Sequence, residues 1–296
     1  GRDDRVPGGC VSQTRVWKYE GTGNDFVMTL DLDQERPLTA DEVRALCDRR
    51  FGIGADGSIR VTRGSDGRPF MDYRNADGSV AEMCGNGLRC VAMLLRDAGE
   101  ATDPSFEVET RAGIRQVTFQ EDGRVTVDMG EPNFTKAAIP MRGPAWETYL
   151  DESLDLGGGV LVRATAVSMG NPHLVLFLED DPERFHVSHI GAVLERDDRF
   201  PEGTNVEFAR VGPDAIEARV WERGSGETLA CGSGACAIAV AAHETGIADR
   251  RSSIRFPGGV LEVERQTSGS VLLTGPAERV FETTIDVEAL AEASFP

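Results

Sequence analysis

"MCGNGLRCVAMLLRDAG" at 83–99 and "ACGSGACAIAVAAHETG" at 230–246 follow one pattern: a cysteine, a glycine-rich turn, an apolar segment and a closing glycine. A spacing of 147 positions separates Cys84 from Cys231, Gly85 from Gly232, Gly87 from Gly234 and Gly99 from Gly246. The spacing recurs upstream, where Gly23 and Asn24 of "GTGNDF" align with Gly170 and Asn171 of "SMGNPH". One offset kept at three separate places marks a duplication, so the chain reads as two copies of one unit of roughly 115–150 residues.

Each apolar segment reads as a helix that must be buried, because it is hydrophobic nearly all round and ends at a glycine suited to the C′ position. Most other segments, such as "AIEARVWERG" and "RVTVDMG", alternate or are β-branched between Gly, Asp and Pro turns, which reads as strands. A second helix per half is expected; in the first, Thr39 and Glu42 form a capping box and Val43, Leu46 and Cys47 share a face. The expected fold is therefore α/β of the α+β type. Two similar domains are related by pseudo-twofold symmetry, each a curved, mixed or antiparallel sheet wrapped around a central buried helix.

The 296 residues suffice for two domains that each bury a core. A net charge of -19 argues against attraction to nucleic acid or an anionic membrane. No apolar run reaches the roughly 20 residues of a membrane span, so a cytoplasmic location is expected. Residues 1–14, charged and rich in Gly and Pro, read as a disordered tail, and a first residue other than Met suggests a remnant or a removed segment.

Six cysteines without an export signal read as reduced thiols. Cys10, Cys47, Cys90 and Cys236 read as small core residues. Cys84 and Cys231 stand apart by symmetry. A helix N-terminus offers unpaired N–H groups and partial positive charge, which lowers a cysteine's pKa and binds carboxylate. The backbone near Gly85, Asn86, Gly232 and Ser233 is then placed to grip one carboxylate from two sides. Two acid/base groups on opposite faces of one carbon are what stereoinversion requires, with one thiolate removing the α-proton and the opposing thiol delivering another. The expected resting state is one thiolate and one thiol.

Other chemistries fit less well. Pyridoxal phosphate needs a Schiff-base lysine, and Lys18 and Lys136, the only two lysines, lie in an expected strand and a loop. No cofactor is expected. The C-x5-C and C-x4-C spacings do not suit zinc, and neither glycine word is a phosphate loop. A thiol hydrolase pairing His173 with Cys84 or Cys231 leaves the second cysteine word unexplained. A redox protein that switches a Cys84–Cys231 disulfide is the contrasting class.

"GTGNDF", "NADGSVAEMCGNGLRC", "GNPH", "GTNVEF" and "WERGSGETLACGSGACA", in this order, resemble the diaminopimelate epimerase family over most of residues 15–285. The resemblance implies a cofactor-independent isomerase that interconverts LL- and meso-2,6-diaminopimelate in lysine and peptidoglycan precursor biosynthesis. It implies Cys84 and Cys231 as the acid/base pair, with Gly85, Asn86, Gly232 and Ser233 holding the reacting carboxylate. Asn24, Asn75, Asn171, Asn205, Glu222 and Arg223 would hold substrate, mainly its distal end. Arg223 offers a bidentate fork for a carboxylate, and Glu222 with the asparagines suits an ammonium. The resemblance assigns 277–296 to the first domain (15–130), with 131–276 as the second. The expected partner is the small amino-acid substrate, with a homodimer and neither metal, nucleic acid nor membrane. A related racemase acting on proline or hydroxyproline is the alternative within the fold. The sequence departs from the family at Gly57, often glutamine, and at Glu20, commonly histidine. His173 falls close to the site.

Overall fold

The computed structural model describes residues 13–294. Residues 1–12 of the expected tail lie outside the described residues, as does Cys10. Gln13 and Thr14 already belong to the first strand, where they pair with Asp286 and Ile285, partners from the far end of the chain that local sequence does not reveal.

The first half runs β1 (Gln13–Gly21), β2 (Asn24–Leu30), α1 (Ala40–Cys47), β3 (Gly57–Arg63), β4 (Pro69–Asn75), α2 (Gly85–Asp97), β5 (Ser105–Thr110), β6 (Gly113–Phe119) and β7 (Val125–Asp128). The second runs β8 (Glu152–Asp155), β9 (Leu161–Ser168), β10 (Pro172–Phe177), α3 (Val187–Glu195), β11 (Asn205–Val211), β12 (Ile216–Glu222), β13 (Gly226–Thr228), α4 (Gly232–Glu244), β14 (Arg251–Phe256), β15 (Gly259–Arg265) and β16 (Val271–Gly275). The described chain closes with β17 (Glu278–Asp286) and α5 (Val287–Ser294).

Strand pairing repeats across the halves. In the first, the sheet order is β17-β1-β2-β3-β4-β5-β6-β7; in the second it is β8-β9-β10-β11-β12-β14-β15-β16, with β13 added on β12. The parallel pairs are β2–β3, β4–β5, β10–β11 and β12–β14. Each is bridged by one of α1, α2, α3 and α4, because parallel neighbours need a crossover long enough to hold a helix. The final strand, β17, pairs with β1 as β8 pairs with β9, so chain following β16 completes the first sheet.

Strands from well-separated places in each sheet touch the central helix. α2 meets β1, β2, β3, β6, β7 and β17, and α4 meets β9, β10, β11, β14, β15 and β16. Each sheet therefore curves around its helix. Composition makes this possible: α4 is fully lined with Ala, Gly, Cys, Ile and Val from Gly234 to Ala242, small enough for strands to close on every side. α2 does the same with Leu88, Cys90, Val91, Ala92, Leu94 and Leu95. It also buries Arg89 completely, an arginine whose guanidinium donates to the carbonyls of Pro276 and Gly85 and to Thr22 Oγ1.

The expectation of a separate core in each half is corrected. One apolar cluster runs from Trp17 to Ala277 through both central helices, because β7 and β16 pair antiparallel and join the two sheets edge to edge. Leu273 on β16 lies at this junction. A Cβ placed on Gly85 would stand 3.0 Å from its Cδ2, and one on Gly232 would stand 3.1 Å away. The two central helices thus start against the same leucine.

Burial also governs alkaline stability. It pushes the Cys47 thiol from 9.0 up to about 12 and raises Cys90 and Cys236 as well. A thiol whose folded pKa lies above its unfolded value stabilises the fold fully below the unfolded pKa and loses that contribution as pH rises toward the folded one. Unfolding free energy should therefore hold from pH 7 to 9 and fall above it, by about 1.4 kcal/mol per pH unit for each such thiol. Denaturant titrations at pH 8 and pH 10 test this, and equal stability at the two would refute it.

Candidate active site

Cys84 and Cys231 are the N-cap residues of α2 and α4, in nearly the same backbone conformation: φ -142° and ψ 122° for the first, φ -128° and ψ 121° for the second. Each sulfur accepts the backbone N–H three residues on, from Gly87 at 3.5 Å and from Gly234 at 3.4 Å. The glycines are closely surrounded. A Cβ on Gly87 would lie 2.7 Å from Met71 Cε and 2.9 Å from Ile59 Cδ1; one on Gly234 would lie 3.0 Å from Glu207 Oε1. A Cβ on Gly232 would lie 3.2 Å from Asn86 Oδ1, and Asn86 Nδ2 reaches Ala230 O at 3.5 Å, so the two helix starts abut.

A cleft of about 2180 Å³ opens over this junction. The structure brings all the sequence-selected residues to its wall: Cys84, Cys231, Asn24, Asn75, Gly85, Asn86, Asn171, Asn205, Glu222, Arg223, Gly232 and Ser233. Lys18 and Lys136 do not line it; they pair with Asp25 and Glu147 at 2.7 and 2.6 Å. Among the described residues, no group of three or more His, Cys, Asp or Glu is placed to hold a metal.

The wall residues are already engaged with one another. Asn24 Oδ1 accepts from Cys84 Sγ at 3.5 Å and from Asn86 Nδ2 at 3.3 Å, and its amide donates to Asp56 Oδ2 at 2.7 Å. Asn75 donates to Ser79 Oγ at 3.0 Å. Asn171 donates to Ser233 Oγ at 3.4 Å, and Ser233 Oγ lies 3.5 Å from Cys231 Sγ. Asn205 spends its side chain on backbone, donating to Pro172 O at 2.9 Å and accepting from Arg223 N at 2.8 Å, which ties the ends of β10, β11 and β12 together. Among the described residues, the Arg223 guanidinium uses one nitrogen, Nη1, to donate to Glu202 O at 3.1 Å, which leaves further N–H groups of its fork for a ligand.

The electrostatics differ from expectation. Burial pushes the Cys84 thiol up to about 11 and Cys231 well above the ordinary range, outweighing the lowering N–H bonds from Gly87 and Gly234. The helix-terminus effect is present but smaller than the cost of desolvating a thiolate. Both shifts run against the expected resting thiolate. Glu222, beside Cys231, is raised by the same burial, against a hydrogen bond from Thr228.

The two departures from the family pattern have structural counterparts. Glu20 Oε2 caps the turn at Gly23 N, 2.8 Å away. The space a side chain at Gly57 would use is taken by Tyr73, whose Cε2 stands 2.7 Å from that Cβ position, and by Arg74 O at 2.6 Å. His173 does not line the cleft; it is fully buried behind Asn171, which its Nε2 meets at 2.9 Å. Three participants were not foreseen. Asp56 and Thr228 carry no signal in the sequence. Glu207, a charged residue at the centre of the apolar strand "NVEFA", carries one.

Comparison with known proteins gives one consistent picture. A family profile described as "Diaminopimelate epimerase" matches residues 16–135 and 165–280. Curated relatives include a diaminopimelate epimerase of Synechocystis sp., 45% identical over 89% of this chain and 96% of that one. Another is the chloroplastic diaminopimelate epimerase of Oryza sativa subsp. japonica, 43% identical over 89% of this chain and 78% of that one. Among solved structures, a hydroxyproline epimerase from Agrobacterium vitis superposes with a TM-score of 0.68 at 16% identity, covering 92% of each chain. A PhzF-family phenazine biosynthesis protein of Bacillus anthracis gives 0.67 at 16% identity, covering 93% of this chain and 99% of that one. At such identity the last two speak for the fold alone.

Proposed function

This chain belongs to the diaminopimelate epimerase family, and from that premise we infer that its cleft interconverts LL-2,6-diaminopimelate and meso-2,6-diaminopimelate, a step toward lysine and peptidoglycan precursors. The observation that carries this reading is the pair of cysteines with matching N-cap geometry on helices whose first turns abut across one cleft. No other pair of acid/base groups in the cleft is related by the duplication.

In the proposed mechanism the reacting carboxylate sits between the two helix starts, taking N–H groups at Gly85, Asn86, Gly232 and Ser233. Both helix dipoles point positive charge at the negative charge that builds on it as the α-proton leaves. Since burial raises both thiol pKa values, one of them has to release its proton to solvent as substrate binds, and the α-ammonium favours the thiolate so formed by placing a cation beside the sulfur. One of Cys84 and Cys231 takes the α-proton and the other delivers one to the opposite face; in the reverse direction they exchange roles. Arg223 holds the distal carboxylate, and Glu222 with Asn24, Asn75, Asn171 and Asn205 frames the distal ammonium.

We assign residues 15–130 with 277–296 to one domain and 131–276 to the other, supported by the pairing of β17 with β1. A cytoplasmic location is proposed on the free thiols of Cys47, Cys84, Cys90, Cys231 and Cys236. A homodimer is proposed on the edge strand β17, which exposes Val280 and Phe281.

In deuterium oxide under reducing conditions, the α-carbon of LL-diaminopimelate should acquire deuterium as meso product forms. Absence of exchange would defeat the epimerase reading. Exchange into proline but not diaminopimelate would leave the mechanism and overturn the substrate.

A further inference from the structure

Behind Cys231 the hydrogen bonds continue where those behind Cys84 do not. In the first half the pairing of Phe26 with Gly57 corresponds to that of His173 with Asn205, so the counterparts of His173 and Glu207 are the apolar Phe26 and Ile59. There the links from Cys84 run through Asn24 to Asp56 and on to the half-exposed Arg49. In the second half, Cys231 Sγ lies 3.5 Å from Ser233 Oγ, Ser233 Oγ accepts from Asn171 Nδ2 at 3.4 Å, and Asn171 Oδ1 meets His173 Nε2 at 2.9 Å. His173 Nδ1 then meets Glu207 Oε1 at 2.6 Å. His173 and Glu207 are both wholly buried, and Glu207 Oε2 has no hydrogen-bond partner among the described residues.

The donor inventory settles the direction of this chain. Asn171 turns its oxygen to His173 and its amide to Ser233, so His173 Nε2 carries a proton. Nδ1 faces a carboxyl oxygen at a distance that requires a proton between them, on either atom. The pair therefore holds one shared proton and no net charge, which is how a carboxyl and an imidazole can both be buried without water. With Nε2–H donating to Asn171 and Asn171 donating to Ser233, the serine hydroxyl is left free to donate to Cys231.

We propose that Glu207 is a positioning residue which, through His173, Asn171 and Ser233, aims a hydrogen bond at the sulfur of Cys231 and so favours its thiolate. The role rests on the epimerase reading of the cleft. The first half lacks it, so the two chemically identical thiols are made unequal. Glu222 from β12 and Glu207 from β11 face Cys231, with His173 on β10 behind them and Cys84 on α2 across the cleft. A negative charge on either carboxylate raises the Cys231 pKa, so Glu207 favours the thiolate only as the neutral pair with His173, through the hydrogen bond it aims.

Two measurements test this on the full chain. In protein labelled with 15N-histidine, the His173 signal, assigned by its loss in His173→Phe, should show Nε2 protonated at every pH from 6 to 9. A bare Nε2 would overturn the proposal, and this readout stands whether or not the protein is an epimerase. In kinetics, Glu207→Met should move the pH profile of α-deuterium exchange toward alkali by about one unit, a tenfold loss at pH 7 regained at higher pH, with KM unchanged. Glu207→Gln, whose amide can still donate to Nδ1, should restore most of it. An unmoved profile, or a loss equal at all pH values, would mean that Glu207 serves packing alone. If Glu207→Met does not fold, the protonation of Nε2 decides.

Discussion

Cys84→Ala and Cys231→Ala should each lower epimerisation by about 10²–10⁴-fold, the range for removal of a positioned general acid or base. The double variant should be little worse than either single one, because two groups that act as a unit are not additive. Each sulfur also caps a helix, accepting from Gly87 or Gly234, so each substitution should cost about 0.5–2 kcal/mol of stability as well. Thermal melts separate the two effects: at a temperature where both variants are folded, the loss of turnover should remain. A single variant within tenfold of wild type would show that one sulfur is dispensable.

Gly258→Ala should have the next largest effect, although residue 258 touches no acid or base. A Cβ there would lie 2.2 Å from Thr22 O and 3.0 Å from Leu229 O, backbone atoms that cannot turn aside. Gly258 N is also bonded to Leu229 O at 2.9 Å, so the residue is held from both sides. Thr22 belongs to the first half, two residues before Asn24, which bonds to Cys84 Sγ. Relieving the clash must shift the first half's turn against the second half. Overpacking of this kind costs about 1–3 kcal/mol. A displacement of about 1 Å at reacting groups costs roughly 10²-fold in rate. Turnover by the folded variant close to wild type would mean that the halves are not held in register at this contact.

The duplication and the thiol pair were legible because they reside in short local words. Cysteine, glycine and helix pattern recur at one spacing, and an N-cap is set by its immediate neighbours. Burial was less legible. Arg89 looks like a solvent-facing charge on a helix, yet the return of the chain at Pro276 and the turn at Thr22 enclose it. The direction of the cysteine shifts is hidden for the same reason: a helix terminus can be read from sequence, whereas the dry packing that outweighs it comes from strands far along the chain. Leu273 is one leucine among many until the pairing of β7 with β16 sets it between Gly85 and Gly232. Asn205 reads as a ligand group, and its second task of tying three strand ends together is set by the convergence of β10, β11 and β12 on it. Glu207 is the exception, a charge amid the apolar residues of β11 that is visible in the sequence.

Stereoinversion by this pair requires both sulfurs to address one carbon from opposite sides. A crystal structure of the reduced protein closed on a diaminopimelate analogue measures this directly. Cys84 Sγ and Cys231 Sγ should each lie about 3–3.5 Å from the α-carbon, on opposite faces. Both sulfurs on one face, or either one turned into a separate compartment, would contradict it.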